Sequence, residues 1–228
     1  MYRAIAVKEL REVWWIGLLM AAAVTLQTLR SLGLQSTTTP PFFEWIKVYY
    51  DMWIQPVPFQ GEDWPATLLL VGMLGGGVLG LWQTLGESVQ GTWAFYLYRP
   101  ADRESLVLGK LLVGLPLVLV CLGLPMLLFA LWAATPGTHG SPFEWWLLRP
   151  SIRAWGFGSV GYLAGFLCGL RPARWWASRF LPAVAVSFLW LTVLASPWWE
   201  WPGWLAIGVS DVLLLLAIFE IARQRDWA

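Results

Sequence analysis

Long apolar runs separated by short polar stretches organise this chain. A helix that crosses the hydrocarbon core of a bilayer needs about 20 mainly apolar residues. Six runs approach that length: 13–34, 64–86, 105–132, 152–170, 180–196 and 203–222. The pattern predicts an all-α, polytopic membrane protein, a single transmembrane domain over 1–228 with six spanning helices. The fifth run is short and bracketed by Pro182 and Pro197. The third contains Pro116 and Pro125, which are expected to kink it. Ahead of the first run, Ile5, Val7 and Leu10 are interleaved with Lys8, Glu9, Arg11 and Glu12. That amphipathic start predicts an interfacial helix over 1–12, lying at the headgroups with its charges outward. It is too charged and too mixed for a cleavable leader.

Between two of the long apolar runs sits a charged interruption, ESVQGTWAFYLYRPADRESLVLGK, Glu87 to Lys110. It has to lie outside the bilayer, and 87–104 reads as its exposed segment. Glu87 to Tyr98 is expected to form a short helix, which Pro100 ends before the next span. Which side it lies on follows from the Lys and Arg residues of the short loops. With both termini in the cytoplasm, Arg3, Lys8, Arg11, Arg99, Arg103, Lys110, Arg171, Arg174, Arg179, Arg223 and Arg225 face that side. Arg30, Lys47, Arg149 and Arg153 fall on the other. The outer connections then comprise a long loop over 35–63, a Pro- and Gly-rich loop over 133–151, and the tight turn PWWEWPG. Within the long loop, FFEWIKVYYDMW mixes aromatics with Glu44, Lys47 and Asp51 and is suited to lie flat on the outer leaflet.

Composition agrees with the pattern. Hydrophobic residues make up 58% of the chain and charged residues 13%, against roughly 45–50% and about 25% in soluble domains. So few charges could not cover the surface of a soluble protein of this size. A net charge of +1 gives no field that would attract nucleic acid. Tryptophan is abundant and clusters where spans should end: Trp14 and Trp15, Trp64, Trp145 and Trp146, Trp175 and Trp176, and Trp198, Trp199 and Trp201. An apolar ring with one N–H is suited to the headgroup zone. Cys121 and Cys168 lie inside apolar runs and read as small buried hydrophobes.

Two spans carry glycines at a spacing of four, Gly72, Gly76 and Gly80 on the second and Gly161, Gly165 and Gly169 on the fourth. Small residues at that spacing let helix backbones approach closely in a membrane. Packing within the chain is the expected use, ahead of an oligomer face. Catalytic patterns are missing from the sequence. The lone His139 falls in an outer loop, no Cys/His set has metal-ligand spacing, and no phosphate-binding glycine loop occurs. No enzyme activity, bound cofactor or metal is therefore expected of this chain. Asp211 stands near the middle of the last span, beside Ser210. An ionisable group at that depth is a functional candidate, expected to face the bundle interior or a wet cavity, the alternative being a plain hydrogen bond to a neighbouring Ser, Thr or Trp.

Taken together, the pattern resembles the membrane subunit of a type-2 ATP-binding-cassette exporter. Three features carry the resemblance: the Lys-Glu-Leu-Arg start at Lys8, the order Glu87, Gly91-Thr92, Leu97, Pro100, Arg103 and Lys110, and six spans with both termini inside. It covers essentially the whole chain, although the turn before the last span is shorter than the family's outer segment there and the 35–63 loop is enlarged. The resemblance implies a permease subunit in the inner (plasma) membrane, paired with a second copy or a related permease. ATP and Mg would be bound by a separate ATPase subunit. It further implies that Lys8, Glu9, Arg11, Glu87, Gly91, Thr92, Arg99, Pro100 and Arg103 couple the spans to that subunit. Export of a hydrophobic or amphipathic substrate follows from the resemblance alone. The alternatives are a structural or assembly protein of the membrane and a membrane-embedded enzyme acting on lipid.

Overall fold

The computed structural model describes residues 2–31, 63–90, 103–136, 143–171, 176–194 and 200–224. Six helices dominate: α1 (Tyr2–Ser31), α2 (Asp63–Gln90), α3 (Arg103–Ala134), α4 (Arg149–Leu170), α5 (Leu181–Leu194) and α6 (Glu200–Gln224). A 3-10 turn, Trp145–Leu148, leads into α4, and one helical turn, Trp176–Arg179, precedes α5. No strand occurs among the described residues.

Proline marks the starts of these helices. Pro65, Pro150, Pro182 and Pro202 all fall in a first turn, where a missing N–H breaks no helical bond and the fixed φ suits the helix. α3 is the exception. It runs through both Pro116 and Pro125 for 32 residues, which neighbouring helices make tolerable in an apolar setting.

α1, α2, α3 and α6 are long and apolar enough to cross a membrane. They coincide with the first, second, third and sixth expected spans. Their outward faces are apolar too: Leu18, Leu26, Leu74, Leu112, Val120, Leu205 and Leu213 are all exposed. A helix that is apolar all round, with one face packed and the other bare, matches lipid rather than water. Four such helices mark the chain as a multi-pass membrane protein. The fourth expected span, 152–170, falls within α4, the central helix, whose residues from Phe157 to Leu170 are all buried. The fifth, 180–196, is described over the 14 residues of α5.

Two expectations change here. No boundary separates an interfacial helix over 1–12 from the first span, because α1 is one helix of 30 residues. Its buried face carries Glu9, Val13, Ile16, Met20 and Val24 in sequence, a single helical stripe that begins inside the supposed interfacial segment. In addition, α2 continues to Gln90. The first four residues of the expected Glu87–Tyr98 helix therefore extend the second span's helix. Residues 91–102 lie outside the described residues, as do most of the 35–63 loop and His139.

The tightest seam joins α2 to α4, and it is made by the two glycine stripes. A Cβ at Gly76 would stand 2.8 Å from Gly158 O, and one at Gly161 would stand 2.7 Å from Met73 O. A Cβ at Gly80 would run into the Tyr162 and Phe166 backbone, and one at Gly165 into Gly77 O. At Gly169 the obstacle is Thr84, whose hydroxyl lies 3.0 Å from Gly80 O in its own helix and 3.3 Å from Phe166 O across the seam. Backbone lies against backbone over several turns, so dispersion contacts and weak Cα–H···O contacts replace the hydrophobic drive that lipid does not supply.

Aromatic side chains close the opposite end of the bundle. Trp64, at the start of α2, is buried with its ring centroid 5.1 Å from that of Phe129, which stacks on Trp132. Trp64 thus stands at a helix end, as expected, but it packs inward. Trp155 projects from α4 onto α3, where Gly123 leaves room for the ring, and donates its Nε1–H to Leu119 O at 2.8 Å. Trp14, Trp145, Trp146 and Trp201 are exposed, as headgroup anchors should be.

Candidate functional site: a buried charge pair and an intramembrane carboxylate

Four helices bring one polar side chain each to a common point. α1 supplies Glu9, α2 Gln83, α3 Lys110 and α4 Tyr162, all buried. Glu9, Gln83 and Lys110 each stand about two turns inside a helix end, roughly 10 Å along the axis. The common depth is what lets residues so far apart in sequence meet.

Lys110 Nζ donates to Glu9 Oε1 at 2.7 Å and to Gln83 O at 3.1 Å. Gln83 Nε2 donates to Glu9 Oε2 at 3.4 Å, and Tyr162 OH donates to Gln83 Oε1 at 2.7 Å. The glutamine amide therefore has one orientation that suits both neighbours, with its oxygen toward the phenol and its nitrogen toward the carboxylate. Gly114, one turn beyond Lys110 on α3, makes the junction possible: a Cβ there would meet Tyr162 OH, and Gln83 Oε1 at 2.5 Å. Lys110 and Glu9 have side chains only 4% and 1% exposed. Two unit charges at that burial persist only when paired and hydrogen-bonded. Tyr162→Phe should leave Gln83 Oε1 without its donor and lower stability by about 1–3 kcal/mol. Detergent or denaturant unfolding of the purified protein would read this directly, and an unchanged midpoint would count against the phenol bond.

Residues flanking the junction are open. Lys8 is 39% exposed and pairs with Glu12 at 3.6 Å, the i,i+4 spacing, while also approaching Glu9 at 3.9 Å. Arg11 is exposed. The three charged residues of α1 expected to couple to a partner thus divide, with Lys8 and Arg11 at the surface and Glu9 turned into the bundle. Glu87 lies in the last turns of α2 and Arg103 opens α3. Gly91, Thr92, Arg99 and Pro100 lie outside the described residues.

Asp211 forms a second polar contact, in the middle of α6. Its Oδ2 accepts a 2.7 Å hydrogen bond from Ser159 of α4. Ser159 Oγ also lies 2.7 Å from Gly156 O, in its own helix. Asp211 Oδ1 is buried with no hydrogen-bond partner among the described residues. The residue is half-buried against α4, and its partner is a serine on that helix.

The sequence carried only a faint signal for the charge pair. Glu9 stands out there as a surface charge, and Lys110 as the residue that opens a span. Gln83 and Tyr162 are ordinary polar residues near a span end and a span middle. The usable sign was three polar side chains at one depth on consecutive helices, which becomes visible once helix ends are known. Among the described residues no group of three His, Cys, Asp or Glu side chains converges on a metal-sized site. The junction contains a neutralised ion pair rather than a nucleophile beside a base, so its chemistry is that of a fastening. No family model, no curated protein and no solved structure matches this chain.

Proposed function

We propose that the chain is the membrane-spanning permease subunit of an ATP-binding-cassette transporter. In this reading α1 to α6 are its six spans, both termini are cytoplasmic, and the membrane is the inner (plasma) membrane. The subunit pairs with a second copy or a related permease to enclose the pathway. A separate ATPase subunit supplies ATP hydrolysis, and the substrate is a hydrophobic or amphipathic molecule moved outward.

The observation that carries the reading is the position of the Glu9–Lys110 pair. α2 and α3 bracket the polar stretch that resembles the family's coupling segment. Two turns inside both helices, Lys110 joins the Gln83 backbone to Glu9. A force applied to the polar stretch would therefore reach α1 as well as α2 and α3, and Tyr162 would pass it to α4. Such a joint suits a subunit whose spans are tilted as a body by an external motor, a two-state change driven by nucleotide binding elsewhere. Lys8 and Arg11, exposed beside the joint, supply a polar surface for that contact.

The test is isolation of the chain in mild detergent from its native host. A soluble ATPase with a phosphate-binding loop should come with it and be lost when 91–102 is replaced by a Gly/Ser segment of equal length. A solitary, stable oligomer would overturn the reading and favour a structural membrane protein.

A further inference from the structure

The seams of this bundle are not equivalent. α2 and α4 meet backbone to backbone through glycines, so neither helix can slide without collision. α1 and α3 share a buried ion pair, and a Cβ at Gly17 of α1 would lie 3.0–3.2 Å from the side chains of Cys121 and Leu117. Discrete, close-packed contacts of this kind have one low-energy arrangement.

α6 meets the rest differently. Gly156 of α4 faces the tip of Ile207, whose Cδ1 would lie 3.3 Å from a Cβ there. Gly203 of α6 faces the middle of the Arg153 side chain, whose Cδ would lie 2.6 Å from a Cβ there. In both places a flexible side chain covers the glycine, as at Gly17 and Gly75 on the α1 seams and in contrast to the backbone that meets the α2–α4 glycines. Gly208, one turn before Asp211, has nothing near it, and α6 has the smallest buried share of the four apolar helices. Its polar contacts include Asp211 with Ser159 and, at its far end, Arg223 with Glu104 at 2.7 Å. The latter pair is exposed on both sides, and exposed pairs hold little. Ser159 can exchange Asp211 for Gly156 O, an acceptor at the same distance, by rotating one hydroxyl. Breaking the α4–α6 bond therefore leaves the Ser159 donor satisfied, while Asp211 Oδ2 gives up its described hydrogen bond.

We infer that α6 is the movable helix of this subunit, displaced along the α4 seam against a rigid block of α1–α4, with the Ser159–Asp211 hydrogen bond as its latch. The helix separates from the seam when Ser159 turns to its own backbone, which exposes Arg153, Ser159 and Asp211 along one opening. The inference concerns the chain by itself and holds whether or not an ATPase drives it.

Spin-label distances in lipid nanodiscs test it. In a chain carrying Cys121→Ala and Cys168→Ala, and diluted with unlabelled protein, one pair is placed at Leu74 of α2 and Val209 of α6. A reference pair is placed at Leu74 and Val120 of α3. All three positions are exposed, and the labels leave both polar contacts intact. The α2–α6 distribution should be broader than the α2–α3 distribution. Ser159→Ala should add a second, displaced population to the α2–α6 pair alone, and Ser159→Thr, which keeps the hydroxyl, should restore the parent profile. Equal widths in the parent would overturn the inference, as would Ser159→Ala broadening both pairs or neither. If Ser159→Ala does not fold, the parent comparison decides by itself. Loss of ATPase co-purification would leave these distances untouched, so this inference and the transporter reading fail separately.

Discussion

Replacing Lys110 with methionine is expected to lower stability by about 3–5 kcal/mol, the usual cost of leaving one member of a buried ion pair without its partner. Methionine matches the length of the lysine stem and fills its volume, so lost packing contributes little. What remains is the Glu9 carboxylate, 1% exposed, which loses its shortest charged contact and keeps the 3.4 Å contact from Gln83 Nε2 and the 3.9 Å approach of Lys8. Glu9→Gln alone should also be costly, because Lys110 then loses the carboxylate that stands 2.7 Å from its ammonium. The decisive variant carries both changes. With neither charge present, nothing is desolvated without compensation, and stability should return to well above that of Lys110→Met. The two costs should therefore fail to add, by about 0.5–3 kcal/mol. Reversible unfolding in mixed micelles gives all four corners of the cycle. Costs that simply sum would mean the two residues do not interact. A Lys110→Met protein as stable as the parent would mean that the pair is not buried.

The same pair marks the limit of what the sequence made legible. Apolar run length located four of the long helices to within a few residues, because a bilayer sets both the length and the uniform apolarity of a span. The glycine stripes were also readable as packing faces, since spacing alone places Gly72, Gly76 and Gly80 in a row. That they would meet the stripe on α4 was not in the spacing, which says nothing about partners. The amphipathic start misled for a definite reason. Lys8, Glu9, Arg11 and Glu12 look like one charged face in sequence, but Glu9 lies on the Val13, Ile16 and Met20 side of α1. A charge on the buried stripe requires an opposite charge on a neighbouring helix, and that partner lies 101 residues away. Asp211 was easier, since a carboxylate in mid-span has little choice but to face protein. Its choice of Ser159 over Ser210 was a matter of helix rotation, which neighbouring helices fix. Much of the polar stretch that suggested a coupling role lies in 91–102, and the joint beneath it is what packing adds.

The other large effect belongs to the α2–α4 seam, and its strength lies in a contrast between glycines. Gly165→Val should destabilise at or above the roughly 1–3 kcal/mol typical of overpacking, because the added atoms meet the Gly77 backbone. Backbone in a helix cannot rotate aside as a side chain can, so relief requires the whole of α2 to move away from α4. That movement would also disturb Thr84 against Phe166 and Gln83 against Tyr162, which cross the same seam. Gly80→Val should behave alike, since it meets the Tyr162 and Phe166 backbone. Gly86 and Gly208 provide the control, with nothing within reach of an added Cβ. There alanine should be neutral or stabilising by up to about 0.5–1 kcal/mol, the helix preference of alanine over glycine. All four residues are glycines in apolar helices, but Gly80 and Gly165 are buried against backbone, whereas Gly86 is half-buried and Gly208 exposed with open space beside them. Unfolding midpoints measured on the four variants in one detergent should therefore split into two groups. A uniform response would mean that the stripes do not face each other, and α4 would lose its place at the centre of the bundle.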